Sequence, residues 1–180
     1  MQNGEVSTTS EIGSADNTWQ IAGTCDFYGN GTDDILWRNS DGAVDIWTMQ
    51  NGAVSATSQI GIADNTWQIA GIGDFYGNGT DDILWRNSDG AVDIWTMNNG
   101  QATAATQIGL ADNTWQIAGI GDFTGNGTDD ILWRNSNGAV DTWTLQNGQV
   151  VATAQIGTAD STWQIQPLSA SGGAMFATLS

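Results

Sequence analysis

Trp19, Trp67, Trp115 and Trp163 each open the tripeptide Trp-Gln-Ile, and each stands 48 residues after the one before it. A period of this length constrains the fold more than any local signal. One such unit cannot bury its own apolar face, so consecutive units must stack and bury it together. Three complete units run 19–66, 67–114 and 115–162. Residues 1–18, MQNGEVSTTSEIGSADNT, match the end of a unit, MQNGAVSATSQIGIADNT at 49–66. Residues 163–180 begin a further unit and then diverge from it.

Within a unit the spacing predicts four strands, taken from the middle copy as 67–75, 81–87, 91–97 and 102–109. The second and third, DDILWRN and AVDIWTM, are β-branched and aromatic, and turn residues bound every run. Runs under ten residues with glycine at each boundary disfavour helix. Gln-Asn-Gly at 50–52 and Asn-Asn-Gly at 98–100 carry the Asn-Gly pair of a tight hairpin. Asn-Ser-Asp-Gly at 39–42 has the order of a type I turn. Four antiparallel strands repeated radially are a propeller blade, whose usual length is about 40–50 residues. The expected fold is therefore all-β, a β-propeller of four-stranded antiparallel blades, with a β-helix as the runner-up. Small residues in the first strand suit the crowded axis, and a blade flanked by blades explains apolar residues on both sides of DDILWRN. We read 1–180 as one propeller-type domain. It comprises a partial blade at 1–18 giving an outer strand, blades at 19–66, 67–114 and 115–162, and a partial blade with C-terminal cap at 163–180.

Composition narrows the partners. Twenty acids face three arginines, with no lysine or histidine, for a formal charge of −17. Such a surface repels phosphate backbones and anionic headgroups, so nucleic acid and membranes are disfavoured and cations or neutral polar ligands are favoured. No apolar run approaches the ~18 residues of a membrane-spanning helix. The polar start, MQNGEVSTTS, lacks the regions of a signal peptide. Ten tryptophans with regular spacing argue against disorder. Cys25 is the one cysteine and stands where the other units have Gly73 and Gly121, which reads as a packed thiol.

The stretch DFYGNGTDDILWRN at 26–39 returns unchanged at 74–87, and at 122–135 with Thr124 for tyrosine. Its spacing is that of an oxygen-ligand loop, with glycine at the sixth position. Candidate calcium ligands are Asp26, Asn30 and Asp34, then Asp74, Asn78 and Asp82, then Asp122, Asn126 and Asp130. The other reading is a hairpin whose Asn-Gly takes positive φ and whose aspartates cap the turn. The pattern resembles the FG-GAP or VCBS repeat, the blade of integrin-α-like propellers and of many secreted bacterial proteins. That resemblance implies a propeller, often of seven blades, and frequently calcium in the first hairpin loop. It also implies a secreted or cell-surface location. The family usually places Asp or Asn at the third position, where this chain has Tyr28 and Tyr76.

Catalysis has little to work with: there is no histidine or lysine base and no nucleophile with a partner. Asp81 and Asp82 are neighbours in a strand and point to opposite faces, so they cannot converge on a glycosidic bond. Arg38, Arg86 and Arg134, one per unit, are expected to pair with aspartates between blades. An indole beside Asp and Asn would make a platform for the C–H face of a sugar. Strand alternation places the DFYGNGTD and Gln-Asn-Gly loops on one propeller face, and the RNSDG and ADNTW segments on the other. The candidate ligand surface is the second face: Asn39, Asp41, Asp64, Asn65, Trp67, Asn87, Asp89, Asp112, Asn113 and Trp115. The expectation is a non-catalytic, multivalent carbohydrate-binding module with no organic cofactor. The alternative is a structural or adhesion scaffold without a small ligand, and a carboxylate-based glycosidase is the third reading. The matching partial units leave open a closed four-bladed chain. They lean to a homo-oligomer whose copies complete each other's split blades.

Overall fold

A computed structural model of the chain describes residues 9–160 together with 162, 163 and 165. Residues 1–8 of the partial blade expected at 1–18, and most of the partial blade and C-terminal cap expected at 163–180, lie outside the described residues. Twelve strands and no helix are present among those described. They are β1 (Trp19–Cys25), β2 (Asp34–Asn39), β3 (Ala43–Gln50) and β4 (Ala53–Ile62) in the first unit. The second unit gives β5 (Trp67–Gly73), β6 (Asp82–Asn87), β7 (Ala91–Asn98) and β8 (Gln101–Leu110). The third gives β9 (Trp115–Gly121), β10 (Asp130–Asn135), β11 (Ala139–Gln146) and β12 (Gln149–Thr158). Each unit forms one antiparallel four-stranded sheet in simple meander order. These are propeller blades, as the repeat predicts. β1, β5 and β9 are the inner strands, each touching the next, and β4, β8 and β12 meet in the same way on the outside.

Local sequence accounts for each turn. Asn51, Asn99 and Asn147 have φ near +50° (52°, 47° and 51°), and the glycine after each is also positive. Two consecutive left-handed residues are what a two-residue hairpin requires, and Asn-Gly supplies them at least strain. The RNSDG turn is closed differently: Asn39 Oδ1 accepts from the Asp41 N–H at 3.0 Å, and Asp41 Oδ1 from the Ala43 N–H at 2.9 Å.

The core lies in the seams between blades. Phe27, Leu36, Val44 and Ile46 of the first blade pack against Ile83, Trp85 and Met97 of the second. The next seam joins Phe75, Leu84, Val92 and Ile94 to Ile131, Trp133 and Leu145. Within Asp-Ile-Leu-Trp, the Ile and Trp therefore face the blade before and the Leu faces the blade after. A two-sided apolar strand is explained by this alternation. Cys25 joins the first seam, where burial pushes its thiol pKa up, so it packs and does not react.

Candidate functional site

The DFYGNGTD loop is built first by its own backbone. Asp74 Oδ1 accepts from the Gly77 and Asn78 N–H groups at 2.7 and 3.0 Å, and Oδ2 from the Gly79 N–H at 2.7 Å. Asn78 Oδ1 accepts from the Thr80 N–H at 2.9 Å. Asp122 and Asn126 do the same in the third unit; in the first, Asp26 Oδ1 accepts from the Tyr28 and Asn30 N–H groups, Oδ2 from the Gly31 N–H, and Asn30 Oδ1 from the Thr32 N–H. In the first two units the third-position tyrosine leaves the loop. The Tyr28 ring lies on Gly100 of the next blade, where an added Cβ would come 2.1 Å from Tyr28 Cζ. Its hydroxyl accepts from Thr48 Oγ1 at 3.2 Å. Tyr76 sits on Gly148 in the same way.

The ninth position is turned inward. Asp34, Asp82 and Asp130 are fully buried at the starts of β2, β6 and β10. One oxygen of each accepts a backbone N–H, from Met49, Met97 and Leu145 at 2.9, 2.8 and 2.9 Å. Asp82 Oδ2 has no partner and is buried, and burial pushes the Asp82 pKa up to about 7. No cluster of three acidic, histidine or cysteine side chains suited to a metal exists among the described residues. Asp34 Oδ2 is likewise buried without a partner, whereas Asp130 Oδ2 accepts from the Phe123 N–H at 3.2 Å. As folded, the residues named for calcium close a turn, and in the first two units the third position carries a tyrosine that holds the next blade.

The same loop staples the seam. Asp81 Oδ2 accepts from the Asp26 N–H at 2.9 Å, while the Asp81 N–H donates to the Asp26 carbonyl at 3.1 Å. Asp129 and Asp74 repeat both bonds at 2.9 Å. The Gly100 and Gly148 N–H groups donate to the Phe27 and Phe75 carbonyls, each at 2.9 Å. Asp81 and Asp82 thus serve different partners.

On the opposite face the expected ligand surface is partly gathered. A cavity of ≈ 540 Å³ opens between the first and second blades, and one of ≈ 400 Å³ between the second and third. The two are lined by equivalent residues 48 positions apart. Asn39, Asn65 and Trp67 line the first, and Asn87, Asn113 and Trp115 the second. Asn65 also lines the second cavity, from its other wall.

The four acids named for this surface, Asp41, Asp64, Asp89 and Asp112, line neither cavity. Their carboxylates cap turns instead. Asp64 Oδ1 accepts the Thr66 N–H at 2.8 Å and Asp112 Oδ1 the Thr114 N–H at 2.8 Å, each also holding the threonine hydroxyl. Asp89 Oδ1 accepts the Ala91 N–H at 3.0 Å. Those hydrogen bonds hold the Asp64 and Asp112 pKa values below the ordinary range.

Two features of this face escaped sequence reasoning. Gln68 lines both cavities and Gln20 and Gln116 one each, and all three are exposed with no side-chain hydrogen bond among the described residues. Glutamine is the only polar residue of the Trp-Gln-Ile-Ala-Gly strand, a signal that was available. The arginines also behave differently from expectation. Arg86 donates to the carbonyls of Gly90, Ala111 and Asp112, the last at 3.1 Å, with its Cζ 5.4 Å from the Trp133 ring centre. Arg38 is placed likewise, 5.2 Å from Trp85. The guanidinium ties connections to turns and stacks on the next blade rather than pairing with a carboxylate.

A third, smaller cavity of ≈ 230 Å³ shares Trp115 and is walled by Trp133, Asp141 and Trp143. The Trp133 indole N–H and Asp141 Oδ1 are both buried there without partners.

Comparison with curated proteins found no match. Residues 74–133 match the FG-GAP-like repeat, from the loop of the second unit to β10 of the third. The loop and strand at its core occur again at 26–39. Residues 74–133 are thus similar to the FG-GAP-like repeat, the family that the recurring loop and strand resemble.

Proposed function

We propose that this chain is a non-catalytic, extracellular binding module that takes neutral carbohydrate in its inter-blade cavities. The pair of equivalent cavities supports the reading most directly. Each combines an indole wall with amides, one wall from each of two blades. Their volumes fall in the roughly 300–1,000 Å³ range of small-molecule sites. A sugar presents an apolar C–H face to the indole of Trp67 or Trp115 and hydroxyls to the amides of Gln68 and Gln116, which no internal partner occupies. Asn65 and Asn113 each give one amide N–H to a carbonyl, of Ser40 at 3.1 Å and Ser88 at 3.0 Å. Their orientation is set by those bonds. Repeated sites on one rigid body give avidity for a multivalent glycan without strong single sites. A formal charge of −17 favours neutral over sialylated or sulfated glycans.

The test is a glycan array followed by calorimetry on any neutral glycan retained. Binding that weakens in Gln68→Ala, with the melting temperature unchanged, supports the proposal. A folded chain that retains no glycan refutes it and leaves the scaffold reading.

A further inference from the structure

Each blade buries an indole N–H and a carboxylate oxygen side by side and satisfies neither. Trp85 and Asp93 stand opposite each other on β6 and β7, as Trp133 and Asp141 do on β10 and β11. Directly opposite residues of an antiparallel pair project to the same face. Among the described residues, neither the indole N–H nor the Asp Oδ1 of either pair has a hydrogen-bond partner. Trp37 and Asp45 of the first blade repeat the arrangement. A buried polar atom without a partner costs about 1–3 kcal/mol. A donor and an acceptor left open together in every blade call for one group that meets both.

In the third blade the pair borders space for such a group. The ≈ 230 Å³ cavity is walled by Trp115, Trp133, Trp143 and Asp141. Water takes about 30 Å³ per molecule in the liquid, so this space exceeds a single bridging water. The donor is held in place: Trp133 is 1% exposed, its ring centre lies 4.9 Å from that of Trp143, and Arg86 stacks on it at 5.4 Å. A hydroxyl accepts from an indole N–H and donates to a carboxylate at one atom, whereas an ammonium group would leave the N–H unmet. The C–H groups beside that hydroxyl meet the indole walls. The cavity also adjoins one already assigned to carbohydrate. Trp115 lines both, and the connection between β8 and β9 gives Ala111 and Asp112 to the small cavity and Asn113 to the large one.

We infer that the glycan held between the second and third blades extends past Trp115 and places a hydroxyl of its next sugar between Trp133 Nε1 and Asp141 Oδ1. The inference rests on the carbohydrate reading above and adds the size of the ligand. It is at least a disaccharide, with a free hydroxyl on the second ring.

Magnetic resonance titration of the full chain tests it, following the Trp133 indole N–H and the side-chain amides of Gln68 and Gln116. The probes are the methyl glycosides of glucose, galactose and mannose, and the disaccharides cellobiose, lactose and mannobiose. A disaccharide that moves the Gln116 signal is expected to move the Trp133 signal at the same concentrations. It is also expected to bind about tenfold more tightly than the methyl glycosides, the worth of one hydrogen bond to a charged group. Asp141→Ala is expected to remove that advantage and leave the methyl glycosides unaffected. A Gln116 signal that responds while Trp133 stays still overturns this inference alone and leaves the buried pair to ordered water. So does an Asp141→Ala variant that keeps the advantage, or a Trp133 signal that moves without Gln116. Gln68 and Gln116 signals that ignore every probe overturn the carbohydrate reading and this inference with it. The wild-type titration decides even where the variant does not fold.

Discussion

Tyr28 and Tyr76 hold positions where a metal loop would carry an oxygen ligand, and both rings are spent on the neighbouring blade's glycine instead. The loop aspartates then bind backbone N–H groups that an ion-filled loop would also have to satisfy. Removing calcium with a chelator is therefore expected to leave the thermal midpoint within error. A drop of several degrees, restored by calcium, would contradict that. The staple residues give a second comparison between equivalent sites. Asp81→Ala strands the Asp26 N–H inside a seam and is expected to cost about 1–3 kcal/mol. Asp33→Ala, at the equivalent but exposed position with no such bond, is expected to change stability by less than about 0.5 kcal/mol. Denaturant unfolding of the two variants checks the pair.

Sequence spacing showed that the loops and the second strand recur as one unit, but the tyrosine's target lies in the next unit. A missing ligand and an inter-blade bolt read alike until the partner glycine is in place. One clue was present: tyrosine stands in the two units followed by a complete unit, and threonine in the one that is not.

At the scale of the strand, Asp-Ile-Leu-Trp assigns alternate side chains to two different seams. Leu84 is fully buried against the third blade, while Ile83 and Trp85 are fully buried against the first. Leu84→Ala removes packing from one seam and is expected to cost about 2–5 kcal/mol. A loss below about 1 kcal/mol in chemical denaturation would mean that the seams do not carry the fold. This level was the most legible in the sequence, because period-two alternation and Asn-Gly turns act within a few residues of each other. The ligand surface was less so. Asp41, Asp64, Asp89 and Asp112 follow local turn preferences and cap their own loops. The glutamines of the inner strands reach the cavities only because two blades meet there.

Across the whole molecule, charge and burial set a pH dependence. Burial raises the pKa of Asp82 to about 7, and raises those of Asp34, Asp45, Asp81, Asp93 and Asp129 as well. For such groups the folded state binds protons more tightly than the unfolded one. Their contribution is complete below the unfolded value near 3.9 and is lost as pH rises through the folded value. Net self-repulsion acts in the same direction. The thermal midpoint is therefore expected to be higher at pH 5 than at pH 8. Asp82→Asn, which keeps an acceptor for the Met97 N–H, should flatten part of that slope. A midpoint that rises from pH 5 to pH 8 would contradict the assignment.

On the proposed function, the equivalent inter-blade cavities bind neutral glycan independently of each other. Titration calorimetry with a neutral glycan, on the wild type and on Gln116→Ala, tests it most directly. Gln116 lines only the cavity between the second and third blades. Two sites per chain are expected in the wild type and one, at the original affinity, in the variant. A folded wild type that gives no binding heat with any neutral glycan, or a variant that keeps both sites unchanged, would contradict it.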